Sequence, residues 1–210
     1  MQNNKLLFLF VMCCFGLYTQ VSKAQVSESD SLELVNFYYA TGGDNWNNND
    51  GWLVEPVSEW YGMTLTDDSN NIAGISMTFN NLVGEIPNLN LPKLEVLNLY
   101  HNQLTGNIPN FINLPNLKYL SFMSNSLTGS IPNLNLPILE ELYLQQNDLT
   151  GNIPNFTNLP NLEILSLYNN QLTGTIPDFS NLTSLKVLDL RTNQLTGTIP
   201  DFSNLTSLKV

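Results

Sequence analysis

Residues 139–154 read LEELYLQQNDLTGNIP, and this stretch decides the fold because its pattern occurs six times along the chain. Each copy has the form apolar-x-x-apolar-x-apolar-x-x-Asn-x-Leu-x-Gly-x-Ile-Pro. The segment from the first apolar residue to the final proline, Leu139 to Pro154 in this copy, has the same length in all six copies. The connector from that proline to the next copy varies in length by one residue. Segments of constant length must stack in register, and segments of variable length must be surface connections. The copies begin at Ile72, Leu94, Leu117, Leu139, Leu162 and Leu185.

The repeated pattern predicts a stacked sheet. Alternation such as Val96-Leu97-Asn98-Leu99 is typical of a short strand with one face inward. One copy cannot bury its leucines alone, so the copies must stack and form a parallel sheet. The Gly of each copy suits a positive φ, and Ile-Pro ends regular pairing. A ladder of side-chain amides is expected where each strand turns, at Asn80, Asn102, Asn125, Asn147, Asn170 and Asn193.

The pattern resembles the plant-type class of leucine-rich repeats, whose hallmark is the Leu-x-Gly-x-Ile-Pro half of each copy. Receptor-like kinase ectodomains, polygalacturonase-inhibitor proteins and exported bacterial surface proteins carry this class. The resemblance covers residues 72–210. It implies an α/β-type repeat, a right-handed leucine-rich-repeat solenoid whose parallel concave sheet is the usual ligand face. We expect an N-terminal helical cap in front of it.

Three regions are expected along the chain. Residues 1–24 read as a signal peptide, with Lys5, an apolar run and a cleavage site after Ala24. A membrane anchor is the alternative, although the run is shorter than the roughly 20 residues needed to span a bilayer; a lipid-anchored cysteine is a second alternative. Residues 25–70 are the expected capping region, and residues 71–210 hold six complete repeats and a truncated seventh. The run at 170–187 recurs unchanged at 193–210, so we expect further repeats beyond Val210.

The predicted signal peptide favours a secreted or cell-surface location, and the charge balance argues against a nucleic-acid partner. The chain has 7 basic and 18 acidic residues, a net charge of −11. Loss of the signal peptide would remove Lys5, Lys23 and both cysteines, and no membrane span would remain. The acidic surface that is left is a poor partner for nucleic acid, which is bound through Lys and Arg.

The capping region is expected to start with a helix and to cover the first repeat with tryptophans. Asp30 with Glu33 forms a pattern typical of a capping box and predicts a helix over residues 31–40. Its apolar stripe would be Leu32, Val35 and Tyr39. The large rings that could close the solenoid end are Trp46, Trp52 and Trp60. A calcium loop around Gly51 is the rival interpretation, but its spacing departs from that of an EF-hand.

The sequence predicts a binding face and no catalytic centre. It contains no recognisable nucleophile motif, phosphate loop or metal-ligand cluster, so no cofactor or metal is expected. Tyr and Arg anchor many interfaces, which favours a protein or peptide partner, with a glycan as another option. The alternatives are a passive adhesive stalk or spacer for a missing C-terminal domain, and an inhibitor of a glycan-degrading enzyme. The predicted ligand-binding residues of the concave face are Tyr100, His101, Tyr119, Met123, Tyr143, Gln145, Tyr168 and Arg191.

Overall fold

The computed structural model describes residues 26–209, so the predicted signal peptide lies outside the described residues. Within them the chain forms one α-helix, two short 3-10 turns (Gly43–Asn45 and Val57–Glu59) and eleven short strands. The helix is α1 (Glu28–Ala40). The strands are β1 (Met63–Leu65), β2 (Ile72–Ser76), β3 (Val83–Glu85), β4 (Val96–Asn98), β5 (Gln103–Thr105), β6 (Tyr119–Ser121), β7 (Glu141–Tyr143), β8 (Thr150–Asn152), β9 (Ile164–Ser166), β10 (Gln171–Thr173) and β11 (Val187–Asp189).

The main sheet takes one strand from each repeat. Its seven strands lie in the order β1-β2-β4-β6-β7-β9-β11, and the last six pair in parallel. The prediction of a parallel repeat sheet is therefore confirmed. An additional strand, β1, comes from the region before the repeats and pairs antiparallel with β2, with Met63 opposite Ile75. We call each turn of the chain, from one strand of this sheet to the next, a coil.

The core is a continuous stack of apolar side chains beneath the main sheet. Leu97, Leu120 and Leu142 lie opposite one another in register, and each is fully buried. Burial of such a side chain stabilises the fold by about 1.5–3 kcal/mol. A second stack lies in the connectors, where Phe156, Phe179 and Phe202 follow one another at ring spacings of 6.3 Å. Because coils share these stacks, each one covers the apolar edge of its neighbour.

Two small parallel sheets form in the Leu-x-Gly half of the repeats, which the repeat pattern did not lead us to expect. β3 pairs with β5, and β8 pairs with β10. The glycine of this half has a positive φ in every coil, as predicted. Gly84 shows why: its φ is 115°, and a Cβ there would lie 2.3 Å from the carbonyl oxygen of Ala40.

The asparagine column forms the expected ladder between coils. Asn147 is buried, and its Oδ1 accepts a hydrogen bond of 3.0 Å from the amide of Leu127 in the preceding coil. Its Nδ2 donates to the carbonyl of Phe122 in that coil at 2.9 Å and to the carbonyl of Leu144 in its own coil at 3.1 Å. One side chain thus satisfies backbone groups of two coils at a turn where strand pairing stops. Asn102, Asn125, Asn170 and Asn193 make the same contacts.

The ladder continues into the segment before the repeats. Asn80, in the first coil, has no earlier coil to bond, and its side chain instead bonds the backbone of Asn48. The Asn80 Oδ1 accepts from the Asn48 amide at 2.6 Å, and its Nδ2 donates to the Asn48 carbonyl at 2.8 Å. The loop after α1 therefore takes the place of a preceding coil.

The helix starts earlier than the sequence analysis predicted, and it buries a different face. Its N-cap is Ser27, whose Oγ accepts a 3.1 Å hydrogen bond from the amide of Asp30, so the predicted box of Asp30 and Glu33 is wrong. The predicted stripe is wrong as well, since Leu32 and Tyr39 are exposed. The buried apolar residues of α1 are Leu34, Phe37 and Tyr38.

The three tryptophans pack into one buried aromatic cluster with this face of α1. Trp46 and Trp52 are 4.9 Å apart, and Trp52 and Trp60 are 4.6 Å apart. Each indole N–H donates to a backbone carbonyl. Two side-chain oxygens of the loop considered for calcium are used within the protein: Asp44 accepts from the hydroxyl of Tyr38 at 2.8 Å, and Asn48 accepts from the amide of Asp50 at 2.9 Å.

Replacement of Asn147 by Ala tests the ladder. The change removes four hydrogen bonds. It leaves buried backbone groups of two coils without partners, each of which costs about 1–3 kcal/mol. We expect the free energy of unfolding to fall by about 3 kcal/mol. Urea denaturation followed by circular dichroism measures it. The matched control is Asn155→Ala in an exposed connector, which should change the value by less than about 0.5 kcal/mol. Equal losses in the two variants would refute the ladder's role.

Candidate functional site

The open face of the main sheet carries three groups of aromatic and charged side chains, and we call this surface the sheet face. The first group is Phe79, Tyr100 and His101, the second is Tyr119, Glu141 and Tyr143, and the third is Tyr168, Asp189 and Arg191. In each group the rings or charges contact one another. Six of the eight predicted binding residues belong to these groups.

The other two predicted residues, Met123 and Gln145, lie outside these groups. Gln145 was expected to present its amide to solvent, and this is wrong: the residue is 5% exposed, and its Oε1 is buried without a hydrogen-bond partner. Met123 is half-buried beside it in the same column of the sheet face. A polar side chain can therefore occupy an outward position and still be covered by its larger neighbours.

The second group is held in place by a carboxylate. The Tyr143 hydroxyl donates a 2.7 Å hydrogen bond to Glu141, and the rings of Tyr119 and Tyr143 are 5.5 Å apart. Small residues flank Tyr143 in register, Ser121 on one side and Ser166 on the other, and both are buried. Burial, followed by the hydrogen bond to Glu141, raises the pKa of Tyr143 well above its ordinary value. The phenol thus stays protonated and fixed in one orientation.

The third group is an ion pair placed over a ring. Arg191 donates from Nε and Nη2 to both carboxylate oxygens of Asp189, at 2.9 and 2.7 Å. These bonds hold the pKa of Asp189 below its ordinary value. The guanidinium carbon also lies 5.6 Å from the ring centre of Tyr168, within range of a cation–π contact. The pair is solvent-exposed, so it stabilises the fold little and serves mainly to orient the guanidinium.

The first group lies where the loop before the repeats meets the first two coils. Phe79 stacks on His101 at 4.3 Å and meets Tyr100 edge-on at 4.8 Å. Phe79 and His101 both have a positive φ, as does the equivalent residue of every coil. A left-handed backbone costs a bulky residue roughly 1–2 kcal/mol, and an aromatic pair returns about 0.5–1.5 kcal/mol. Stability alone therefore gives no reason for a phenylalanine at position 79.

Three residues of these groups were missing from the sequence-based list. Phe79, Glu141 and Asp189 all lie in the outward columns of the repeats, so the repeat alignment could have found them. Glu141 orients Tyr143, and Asp189 orients Arg191. A selection of anchor residues made one column at a time does not reveal these contacts.

Two kinds of feature, a metal-binding cluster and a membrane-spanning helix, are absent from the described residues. In residues 26–209 no cluster of three or more His, Cys, Asp or Glu side chains is arranged to hold a metal ion. No helix of that part of the chain is long and apolar enough to cross a membrane.

Family models for leucine-rich repeats match residues 92–136, 137–181 and 184–205. Among solved structures, the ectodomain of the Arabidopsis receptor kinase HAESA, in complex with a peptide hormone ligand, aligns with a TM-score of 0.77 at 32% identity. Pollen Receptor Kinase 3 aligns with a TM-score of 0.72 at 32% identity over 84% of this chain and 89% of its own. The plant peptide hormone receptor RGFR1, in complex with RGF2, aligns at 39% identity with a TM-score of 0.62 over 64% of this chain. No match was found among curated proteins.

The chain belongs to the leucine-rich-repeat family, and its repeats are of the plant type seen in receptor-kinase ectodomains. The alignments cover 85% of this chain with HAESA but only 32% of the HAESA chain, and 23% of the RGFR1 chain. This sequence therefore spans about a third or less of those two receptors.

Substitution of Glu141 by Gln tests the second group. Removal of the carboxylate should lower the pKa of Tyr143 toward its ordinary value, although burial will keep it raised. The tyrosine ring-carbon NMR signal, followed from neutral to strongly alkaline pH, measures the change. Glu140→Gln is the matched control, since Glu140 is exposed and adjacent in sequence. Identical Tyr143 titrations in the wild type and in Glu141→Gln would contradict the assignment.

Proposed function

We propose that the chain is an exported, non-catalytic recognition module that binds a peptide, or an extended segment of a protein, on its sheet face. The receptors HAESA and RGFR1, to which it is similar, are described in complex with peptide hormones. Their extracellular ectodomains, together with the signal-like start of this sequence, support a secreted or cell-surface location. The sheet face is the part of this chain that offers suitable anchors.

The observation that carries this proposal is the fixed orientation of the Tyr and Arg side chains. Glu141 holds Tyr143, and Asp189 holds Arg191 above Tyr168. Side chains that are already ordered lose less conformational entropy when a ligand binds. Tyr and Arg are also enriched among residues whose truncation weakens interfaces most. The face thus has the composition and the order of a binding surface.

The size of the face and the acidity of the whole chain favour an extended basic ligand. Six strands, each with about four outward residues, give a strip on the order of 300 Å², whereas a standard interface needs about 800 Å² from each partner. A peptide lying across the strands matches such a strip better than a globular surface does. The chain carries a net charge of −11, so a peptide with Lys or Arg would also be steered toward it.

Selection from a displayed library of random peptides tests this function. We expect selected peptides to bind the chain with basic residues over-represented, and we expect Tyr143→Ala and Tyr168→Ala each to weaken binding at least tenfold. Biolayer interferometry with synthetic copies of those peptides gives the affinities.

Tyr39→Ala is the matched control, because Tyr39 is 55% exposed on α1 and lies outside the sheet face. Its affinity for the peptides should equal that of the wild type. A failure to enrich any peptide would favour the passive spacer instead. Peptides that bind equally well to Tyr143→Ala and Tyr168→Ala would place recognition outside the sheet face.

A further inference from the structure

A depression lies where the loop after α1, which carries Asn47 and Asn48 and which we call the capping loop, meets the first two coils. The lining of this depression is unlike that of the rest of the sheet face, and we call it the rim depression. Its volume is about 220 Å³, below the roughly 300 Å³ at which pockets for drug-sized ligands begin. It can therefore hold a single small ring or one unit of a longer ligand. Its lining residues are Asn47, Phe79, Asn81, His101, Asn102 and Gln103.

The rim depression combines aromatic faces with side-chain amides and contains no acidic, Lys or Arg side chain. Phe79 is 55% exposed and lies against the imidazole of His101 with 31° between the ring planes. Tyr100 meets Phe79 edge-on and supports it from the side. The lining thus offers an apolar platform surrounded by uncharged polar groups.

Two side-chain amides at this site have oxygens that accept no hydrogen bond from the described residues. Asn47 donates from Nδ2 to the carbonyl of Phe79 at 2.9 Å, and Gln103 donates from Nε2 to the side chain of Asn81. Among residues 26–209, no group donates to Asn47 Oδ1 or to Gln103 Oε1. These two amides are therefore oriented by the protein while their oxygens remain able to accept from a ligand.

Phe79 is not the residue that the backbone favours at its position. Phe79 and His101 have φ values of 53° and 56°, and the equivalent residue in the fifth coil, with φ 54°, is Asn169. Asparagine and histidine are enriched in this conformation, whereas a bulky residue such as phenylalanine is an outlier there. An exposed, backbone-disfavoured phenylalanine next to oriented amides indicates a role in binding rather than in folding.

From this arrangement we propose that the rim depression binds one pyranose ring of a neutral glycan. The C–H groups on one face of a pyranose form an apolar surface that packs on the ring of Phe79, and its hydroxyls donate to Asn47 Oδ1 and Gln103 Oε1. An acidic sugar is disfavoured, because the lining contains no Lys or Arg side chain and the chain is strongly acidic. This site is separate from the groups of Tyr143 and Tyr168 proposed to bind peptide.

Saturation-transfer NMR with cellotetraose, laminaritetraose and mannotetraose tests the proposal. One sugar ring on one aromatic platform should bind with a dissociation constant on the order of 1 mM. We expect saturation transfer to ring protons of at least one of these sugars and none to tetragalacturonic acid. The double variant Phe79→Asn/His101→Asn should weaken the sugar's binding at least tenfold.

Two controls separate this site from folding and from the peptide site. Thermal unfolding of Phe79→Asn/His101→Asn should match that of the wild type, because Asn suits the left-handed backbone. Tyr168→Ala should leave sugar binding unchanged, because Tyr168 does not line the rim depression. If unfolding shows the double variant to be destabilised, Gln103→Ala replaces it and should weaken sugar binding at least threefold.

Several results would overturn the proposal. They are the absence of transfer to any neutral sugar, transfer that survives both Phe79→Asn/His101→Asn and Gln103→Ala, and preferential binding of tetragalacturonic acid. Loss of peptide binding in the double variant, without sugar binding in the wild type, would instead assign the rim depression to the peptide site.

Discussion

The side-chain amide of one asparagine per coil, which is buried or half-buried, makes the interaction on which the structure depends. At the end of each strand the chain turns inward, and the backbone groups of two coils lose their sheet partners there. Asn147 and its equivalents supply those partners from a single side chain, with an acceptor for one coil and donors for both. No apolar residue can do so, and an unpaired buried backbone group is costly. The capping loop obeys the same constraint, because Asn48 meets Asn80 as a preceding coil would.

This constraint also determines what can vary. Leucine positions and the asparagine are fixed by stacking, while the outward residues of each strand are free to differ from coil to coil. The sheet face uses that freedom: serines beside Tyr143 leave room for its ring, and Glu141 and Asp189 orient the Tyr and Arg side chains. At the first two coils the same freedom places Phe79 and His101 beside amides of the capping loop and of the second coil. One rigid scaffold thus presents two chemically different surfaces.

The repeat pattern predicted the parts of the fold that depend on periodic burial. The strands, the glycine turns and the asparagine ladder follow from spacing alone, because stacking requires the same residue at the same place in every coil. The start of α1 was mispredicted, because the cap was assigned to Asp30 whereas Ser27, three residues earlier, is the N-cap and accepts from the Asp30 amide. The antiparallel β1 and the small sheets of β3 with β5 and β8 with β10 depend on contacts between segments, which no single copy encodes. The burial of Gln145 depends in the same way on the size of its neighbours.

Amide hydrogen exchange at the ladder tests the central claim most directly. The amides of Leu104, Leu127, Leu149 and Leu172 each donate to an asparagine Oδ1 of the next coil. If the ladder couples the coils, these amides should exchange slowly and, under rising denaturant, with a common opening free energy. Amides of exposed connectors, such as that of Ile112, should exchange far faster. Leucine amides that exchange independently of one another, at the rates of the connectors, would contradict the account.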